Sequence, residues 1–447
     1  MNLKNNTNNN DAIYLLDAKI SVAKAIPFGL QHILAMFVAN IAPIMIVANA
    51  CGLGTENTAM IIQCAMIIAG IGTLIQLFPI WKIGSRLPIV MGISFTFVSL
   101  ACVIGGKYGY GGIMGAVLVG GLIEGCLGLL AKYWIKIVSP IVAATVVTAI
   151  GFSLLSVGAD SFGGGSDMEG FGSATNWILG LVTLVACILF NIFAKSFYKQ
   201  LSVLFGLVVG YILACIMGVV DFSAISNINI IALPRLLPFK PEFHIDAIIA
   251  FVLVFLVSAT ETIGDTSALT SSGLGRDVTQ KETAGSIVCD GFVSAISALF
   301  GCMPITSFSQ NVGLVAMTKV VNRFAIASGA IIMILAGIFP VIGAILSTLP
   351  SAVLGGCTIM MFGTIVASGA QMISKCGFSQ RNITIVALSL AVGLGFTQKP
   401  MLFDIFPQII RTVFAENCVA VVFFMAIILN LLLPKNMEND VETNKVN

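Results

Sequence analysis

The chain has 447 residues, of which 58% are apolar and only 9% charged, with 22 Lys+Arg against 20 Asp+Glu. Mean hydropathy is +1.03. Soluble domains run about 45–50% apolar and about 25% charged, so these numbers exclude a water-exposed fold of this size, and the formal charge of +2 gives nucleic acid no electrostatic hold. What remains is an all-α polytopic membrane protein.

Residues 1–12 are Asn-rich and read as a solvated tail. The apolar stretch 25–49 is too long for a signal-peptide core and lacks a small-residue cleavage signature, so it reads as a retained first span. A crossing helix needs about 20 mostly apolar residues. Breaks at polar and Gly/Pro clusters predict fourteen, near 25–49, 56–79, 87–105, 110–131, 134–157, 176–194 and 200–220, then 245–270, 283–302, 304–321, 324–346, 350–374, 381–397 and 415–434. The segment 400–413 reads as interfacial and 435–447 as a second polar tail.

With a cytoplasmic N-terminus, seventeen of the 22 basic residues fall in one set of loops and five (Lys107, Arg235, Lys240, Lys399, Arg411) in the other. Lys/Arg bias sets orientation, which predicts both termini inside. The acidic, Gly-rich loop 158–173 and the Pro-rich loop 232–243 then lie outside.

Fourteen spans divide as seven plus seven, and an odd number per half inverts the second half, as in many secondary transporters. Span three opens Leu87-Pro88-Ile89-Val90-Met91-Gly92-Ile93-Ser94-Phe95-Thr96. Span ten opens Met303-Pro304-Ile305-Thr306-Ser307-Phe308-Ser309-Gln310-Asn311. Each carries a proline, then β-branched residues and a Ser-Phe pair, which predicts two spans broken by short extended segments. Two proline kinks in ordinary helices are the plainer alternative. Unwound backbone at membrane depth survives only when buried or lining a wet cavity, so the breaks predict a central site faced by half-helix N-termini.

Four acidic residues lie well inside the spans: Glu124, Glu261, Asp265 and Asp290. Each costs about 2.5–3.5 kcal/mol on insertion scales, which makes it a functional candidate. Glu261 and Asp265 share a helix face at i, i+4. Like charges that close in a partly dry site do not both ionise easily, so the pair is expected to hold an exchangeable proton; a buried pair bonded to nearby hydroxyls for packing is the structural alternative. Gln310 offers an acceptor and two donors, suited to a flat heterocycle with adjacent N–H and C=O groups. Phe95 is placed to stack on such a ligand. Asp290, Glu124 and His32 read as scaffold. Eleven scattered cysteines without a Cys-x-x-Cys pair, and only two histidines (His32 and His244), give no metal site, disulfide framework or cofactor.

Taken in order, Gln31-His32, Ser94-Phe95, Glu261-Thr262-Ile263-Gly264-Asp265, Asp290-Gly291 and Gln310-Asn311-Val312-Gly313-Leu314-Val315-Ala316-Met317-Thr318-Lys319 resemble the motifs of the nucleobase–ascorbate transporter family, the xanthine/uracil permeases. The resemblance runs over nearly the whole chain apart from the tails. It implies a cytoplasmic N-terminal tail (1–24), a core domain in two parts (25–131 and 245–346), a gate domain in two parts (132–220 and 347–434) and a cytoplasmic tail (435–447). It further implies a purine held by Glu261, Gln310, Phe95 and Ser309, coupling to H+ through Glu261 and Asp265, and a homodimer in the plasma membrane. Structural or affinity-tuning roles fall to His32, Asp290, Asn311, Thr318, Thr96 and Ser94. Uracil-type members tend to carry Glu where Gln310 stands, which points to xanthine or uric acid.

The rival readings are a uracil or other nucleobase permease and an anion carrier of similar fold, for which Glu261 has the wrong sign. An intramembrane aspartyl protease built on Ile263-Gly264-Asp265 has only Asp290 as a partner. No filter-like repeat supports a channel.

Overall fold

The structure, a computed structural model, describes residues 11–134, 138–165, 170–222 and 231–434; the predicted tail segments 1–10 and 435–447 lie outside them. A 3-10 turn (Asp11–Tyr14) precedes α1 (Val22–Ala50) and α2 (Thr55–Leu77). The chain then runs extended through β1 (Met91–Ile93) and a 3-10 turn (Phe95–Phe97) into α3 (Val98–Leu129) and the single turn α4 (Ala131–Trp134). Next come α5 (Pro140–Ser153), α6 (Leu155–Phe162), α7 (Ala174–Phe193), a 3-10 segment (Ser196–Leu201) and α8 (Ser202–Ile216). The second half opens with α9 (Ile245–Leu269) and α10 (Gln280–Leu299), then β2 (Ile305–Ser307), α11 (Ser309–Thr318), α12 (Arg323–Gly337) and α13 (Pro340–Ser347). It closes with α14 (Ser351–Cys376), α15 (Gln380–Thr397), α16 (Gln408–Ile410) and α17 (Cys418–Leu432).

The protein is a mostly helical, multi-pass membrane fold. Eight helices among the described residues are long and apolar enough to cross a bilayer, or up to ten if two bent pairs each count as one span. This is fewer than the fourteen read from sequence, and the shortfall has physical reasons. Helix α10 starts Gln280-Lys281-Glu282 and carries Asp290, while α15 starts Gln380-Arg381-Asn382. Helix α11 has only 10 residues because β2 takes the chain before it. Phe95–Leu129 counts as one run of 35 residues where the sequence predicts two spans. At about 1.5 Å per residue it is far longer than the roughly 30 Å hydrocarbon core, and it turns at Gly109 (φ 70°, ψ 179°), a backbone conformation only glycine adopts freely.

The two strands pair antiparallel, Met91 opposite Ser307, Gly92 opposite Thr306 and Ile93 opposite Ile305. Flanking bonds from Ser94 N to Pro304 O and from Phe308 N to Val90 O, both 3.0 Å, extend the ladder. A two-stranded ribbon leaves each outer edge unpaired, which at membrane depth costs several kcal/mol per group. Side chains fill that role. Met91 N donates to Thr73 Oγ1 (3.0 Å) and Ile93 N to Asn40 Oδ1 (2.7 Å). Across the ribbon, Ile305 N donates to Ser294 Oγ (3.1 Å) and Ser307 N to Asp290 Oδ2 (3.1 Å).

Around the ribbon, α3 packs along α9 and α10, and α1 and α2 pack on α12. The α3–α10 crossing is tight enough that a Cβ on Gly291 would stand 2.2 Å from Gly125 N and 2.6 Å from Gly121 O. A second group packs α5, α6 and α7 on α14, with α15 and α17 beside α5. The N-terminal segment is docked from Ala12 onward. Asn322 Nδ2 donates to the carbonyls of Ala12, Leu15 and Ala18, and Arg323 binds Asp17 and Leu77 O. An Asn-rich start reads as a free tail, yet Asn322, whose Oδ1 also caps α12, holds the chain that follows it.

Candidate functional site

Pro88 and Pro304 remove a backbone donor and fix φ just before each strand, so helix cannot run through either break. Ser94 then accepts from Thr96 N and caps the 3-10 turn into α3, while α11 begins directly after Phe308. Because the strands are antiparallel, the two half-helices leave from opposite ends of the ribbon, and residues at both of their positive ends line one space.

That space is a cavity of ≈ 530 Å³. Its wall includes Ser94, Phe95, Thr96, Glu261, Ser309 and Gln310. Glu261 projects from α9 and accepts from Thr96 Oγ1 (2.8 Å) and Ser309 Oγ (3.2 Å). Asp265, one turn on, accepts from Ser309 Oγ (3.0 Å) and Ser307 Oγ (2.8 Å). A serine hydroxyl has one hydrogen, so Ser309 serves one of the two carboxyls at a time and ties their states together. Asp265 lies just behind the wall, 7% exposed. Phe95 meets Phe362 of α14 edge-on at 5.5 Å between ring centres.

The structure thus brings Glu261, Gln310, Phe95, Ser309, Ser94 and Thr96 onto one cavity with Asp265 behind them. Five residues named from sequence are elsewhere. Asp290 sits under the ribbon, where it accepts from Ser307 N, Thr262 Oγ1 (2.6 Å) and Gln76 Nε2 (3.2 Å). Asn311 is buried with Nδ2 on His32 O (3.4 Å), and Thr318 bonds Leu314 O (2.8 Å) at the far end of α11. His32 is buried, with no partner for Nδ1 among the described residues. Glu124 is fully buried, and neither of its oxygens has a hydrogen-bond partner among the described residues.

Sequence reasoning missed the opposite wall. Helix α14 contributes Met360, Met361, Thr364, Ser368 and Gln371, and the segment before α8 contributes Lys199 and Gln200. Thr364, Ser368 and Gln371 form a polar stripe at helical spacing in an apolar span, a legible signal; Lys199 reads only as a loop cation. Among the described residues, no group of three or more His, Cys, Asp or Glu is placed to hold a metal ion.

A family model described as "Permease family", for xanthine and uracil permeases, matches residues 23–402. The chain is 32% identical to the xanthine permease XanQ of Escherichia coli over 95% of this chain and 94% of that one. It is 33% identical to the uric acid permease PucJ of Bacillus subtilis over 89% and 90%. Among solved structures, the transmembrane domain of the cyanobacterial bicarbonate transporter BicA superposes with a TM-score of 0.59, at 16% identity and 90% and 98% coverage. At that identity the likeness concerns the fold alone.

Proposed function

This chain belongs to the nucleobase–ascorbate transporter family, a family of membrane transporters and not of enzymes, and from that premise we propose that it imports an oxidised purine, xanthine or uric acid, by proton symport across the plasma membrane. The observation that carries this reading is the hydroxyl-bridged pair Glu261 and Asp265, with Glu261 on the same cavity as Gln310 and Phe95. The names of the relatives support the substrate class.

In this mechanism Glu261 accepts ring N–H groups of the purine, Gln310 pairs with its amide edge, and Phe95 covers one face. The ligand displaces Thr96 and Ser309 from Glu261. Ser309 then turns wholly to Asp265, which holds or releases the coupled proton. Because one hydroxyl joins the two carboxyls, purine binding and proton binding are linked, and linkage is reciprocal.

The reading includes the finer architecture: fourteen spans as an inverted repeat, a core (25–131 and 245–346) rocking against a gate (132–220 and 347–434), cytoplasmic termini and a homodimer. The packing of α1, α2 and α3 with α9, α10 and α12, apart from α5 to α7 with α14, supports the core and gate division. The pairing of β1 with β2, each leading into a half-helix, supports the repeat.

The test is uptake of labelled xanthine into transporter-deficient cells expressing the chain, with and without a protonophore, against unlabelled uric acid, guanine, hypoxanthine and uracil. Uptake that the protonophore abolishes and only oxidised purines outcompete is the expected result. Uptake that uracil outcompetes, or that survives collapse of the proton gradient, refutes it.

A further inference from the structure

The cavity carries a cation that the mechanism above leaves idle. Lys199, an exposed residue of the segment Ser196–Leu201, lines the same cavity as Glu261 and Gln310. Of all the residues lining it, Lys199 and Glu261 are the only ionisable ones. Among the described residues, Lys199 has neither an ion pair nor a hydrogen bond. Its segment touches α1 and α11, so it reaches across to the helix that bears Gln310. The lining also holds Asn191, Gln200 and, on α14, Ser368 and Gln371.

The charge of the cavity therefore depends on one proton. With one proton shared between Glu261 and Asp265, the pair and Lys199 sum to zero; with none, they sum to a single negative charge. Resting on the purine reading above, we propose that the site takes its substrate as a monoanion, with Lys199 as the counter-charge that selects it. Oxidised purines have acidic ring N–H groups: uric acid is a monoanion near neutral pH and xanthine ionises in part, whereas hypoxanthine and uracil are neutral there. The protonated carrier admits the anion with Lys199 as its counter-charge, and loss of the proton toward the cytoplasm leaves two carboxylates that repel it. One monoanion moving with one proton transfers no net charge. The sign problem that Glu261 poses for an anionic ligand is thereby resolved inside a single cavity.

The experiment uses the purified full chain in proteoliposomes, with labelled uric acid and xanthine, an imposed pH gradient and a potassium diffusion potential set by valinomycin. Uric acid uptake in the unsubstituted chain is expected to follow the pH gradient and to ignore the potential. K199Q is expected to raise KM for uric acid about tenfold, and K199R to restore most of it. In the unsubstituted chain KM for xanthine falls as pH rises through the ionisation of xanthine, and in K199Q that dependence flattens. K195Q, which removes a nearby positive charge that does not line the cavity, is the control for general surface charge and is expected to behave as the unsubstituted chain.

Uptake accelerated by an inside-negative potential overturns the proposal, because it identifies a neutral purine moving with a proton. Equal urate-to-hypoxanthine discrimination in K199Q and the unsubstituted chain overturns it as well. An unsubstituted chain that transports no purine refutes the function proposed above and this inference with it, an outcome distinct from a defect confined to K199Q.

Discussion

Helix α9 carries carboxylates in two settings. At its start, Asp246 accepts from the Lys107 ammonium (2.9 Å), the Tyr108 hydroxyl (2.7 Å), Thr412 Oγ1 (3.2 Å) and its neighbour Ala247 N (2.9 Å). Four turns on, Glu261 and Asp265 receive only hydroxyl donors, one of them shared. A carboxylate beside an ammonium has its charge fixed by a neighbour that cannot leave. A carboxyl held by neutral hydroxyls is satisfied in either protonation state, since a hydroxyl can turn from donor to acceptor. The first arrangement joins α3, α9 and the Arg411–Ala415 segment into one corner of the fold; the second is fit to exchange a proton and a ligand.

The comparison breaks most directly at Glu261. Glu261→Gln removes the carboxylate that meets the purine and leaves Asp265 to titrate alone, and accumulation of xanthine is expected to fall to the level of empty vector while the protein still reaches the membrane, as surface labelling reports. Should Glu261→Gln accumulate xanthine against a gradient, the distinction fails. A large structural effect is expected for Asp290→Ala, which strips the acceptor from Ser307 N, Thr262 and Gln76 at once. Buried donors left unpaired cost about 1–3 kcal/mol each, so the purified protein should melt many degrees lower, and purine is expected to protect it poorly.

Asp246→Asn sharpens the other side. It leaves the partly buried Lys107 without its counter-charge and is expected to cost about 1–2 kcal/mol, read as a lower melting temperature with proton-coupled uptake retained. Lys107→Met added to it should recover part of that loss, because the unpaired charge is gone.

The smallest effect lies outside the spans, at Asp17. Its burial would raise the carboxyl, but hydrogen bonding and charge from Arg323, joined by Arg86, outweigh that and hold it below its ordinary value of 3.8. The stabilisation is therefore complete above that value and is lost as pH falls through the lowered one. A melting curve taken in that acid range should flatten slightly in Asp17→Asn; an identical pH profile in the two proteins would mean the contact contributes nothing.

The broken spans were legible because proline, β-branched residues and a Ser-Phe pair recur at matching places, and local chemistry forbids helix there. Glu261 and Gln310 were legible because polar groups in an apolar run need a reason. The edge partners of the ribbon were not. Asn40, Thr73 and Ser294 are ordinary polar residues in helices, and only the three-dimensional pairing of β1 with β2 turns each into an acceptor for a strand N–H. Lys199 was read from its loop position alone, since nothing local tells a lysine that lines a cavity from one in solvent. The count of apolar helices differs from the fourteen spans for local reasons, since Phe95–Leu129 is one run that turns at Gly109 and β2 shortens α11.

The ribbon also orders events during synthesis. When β1 leaves the ribosome, Thr73 and Asn40 are already present to take its outer edge, but the inner edge has no partner until β2 is translated, nearly half the chain later. Until then the first half holds extended backbone with unmet polar groups in or near the bilayer, a state hydrocarbon penalises by several kcal/mol per group. The nascent first half must therefore keep that segment wet or sheltered. Arrival of residues 305–307 is the moment at which that backbone is paired and the half-made chain becomes fully at home in the membrane.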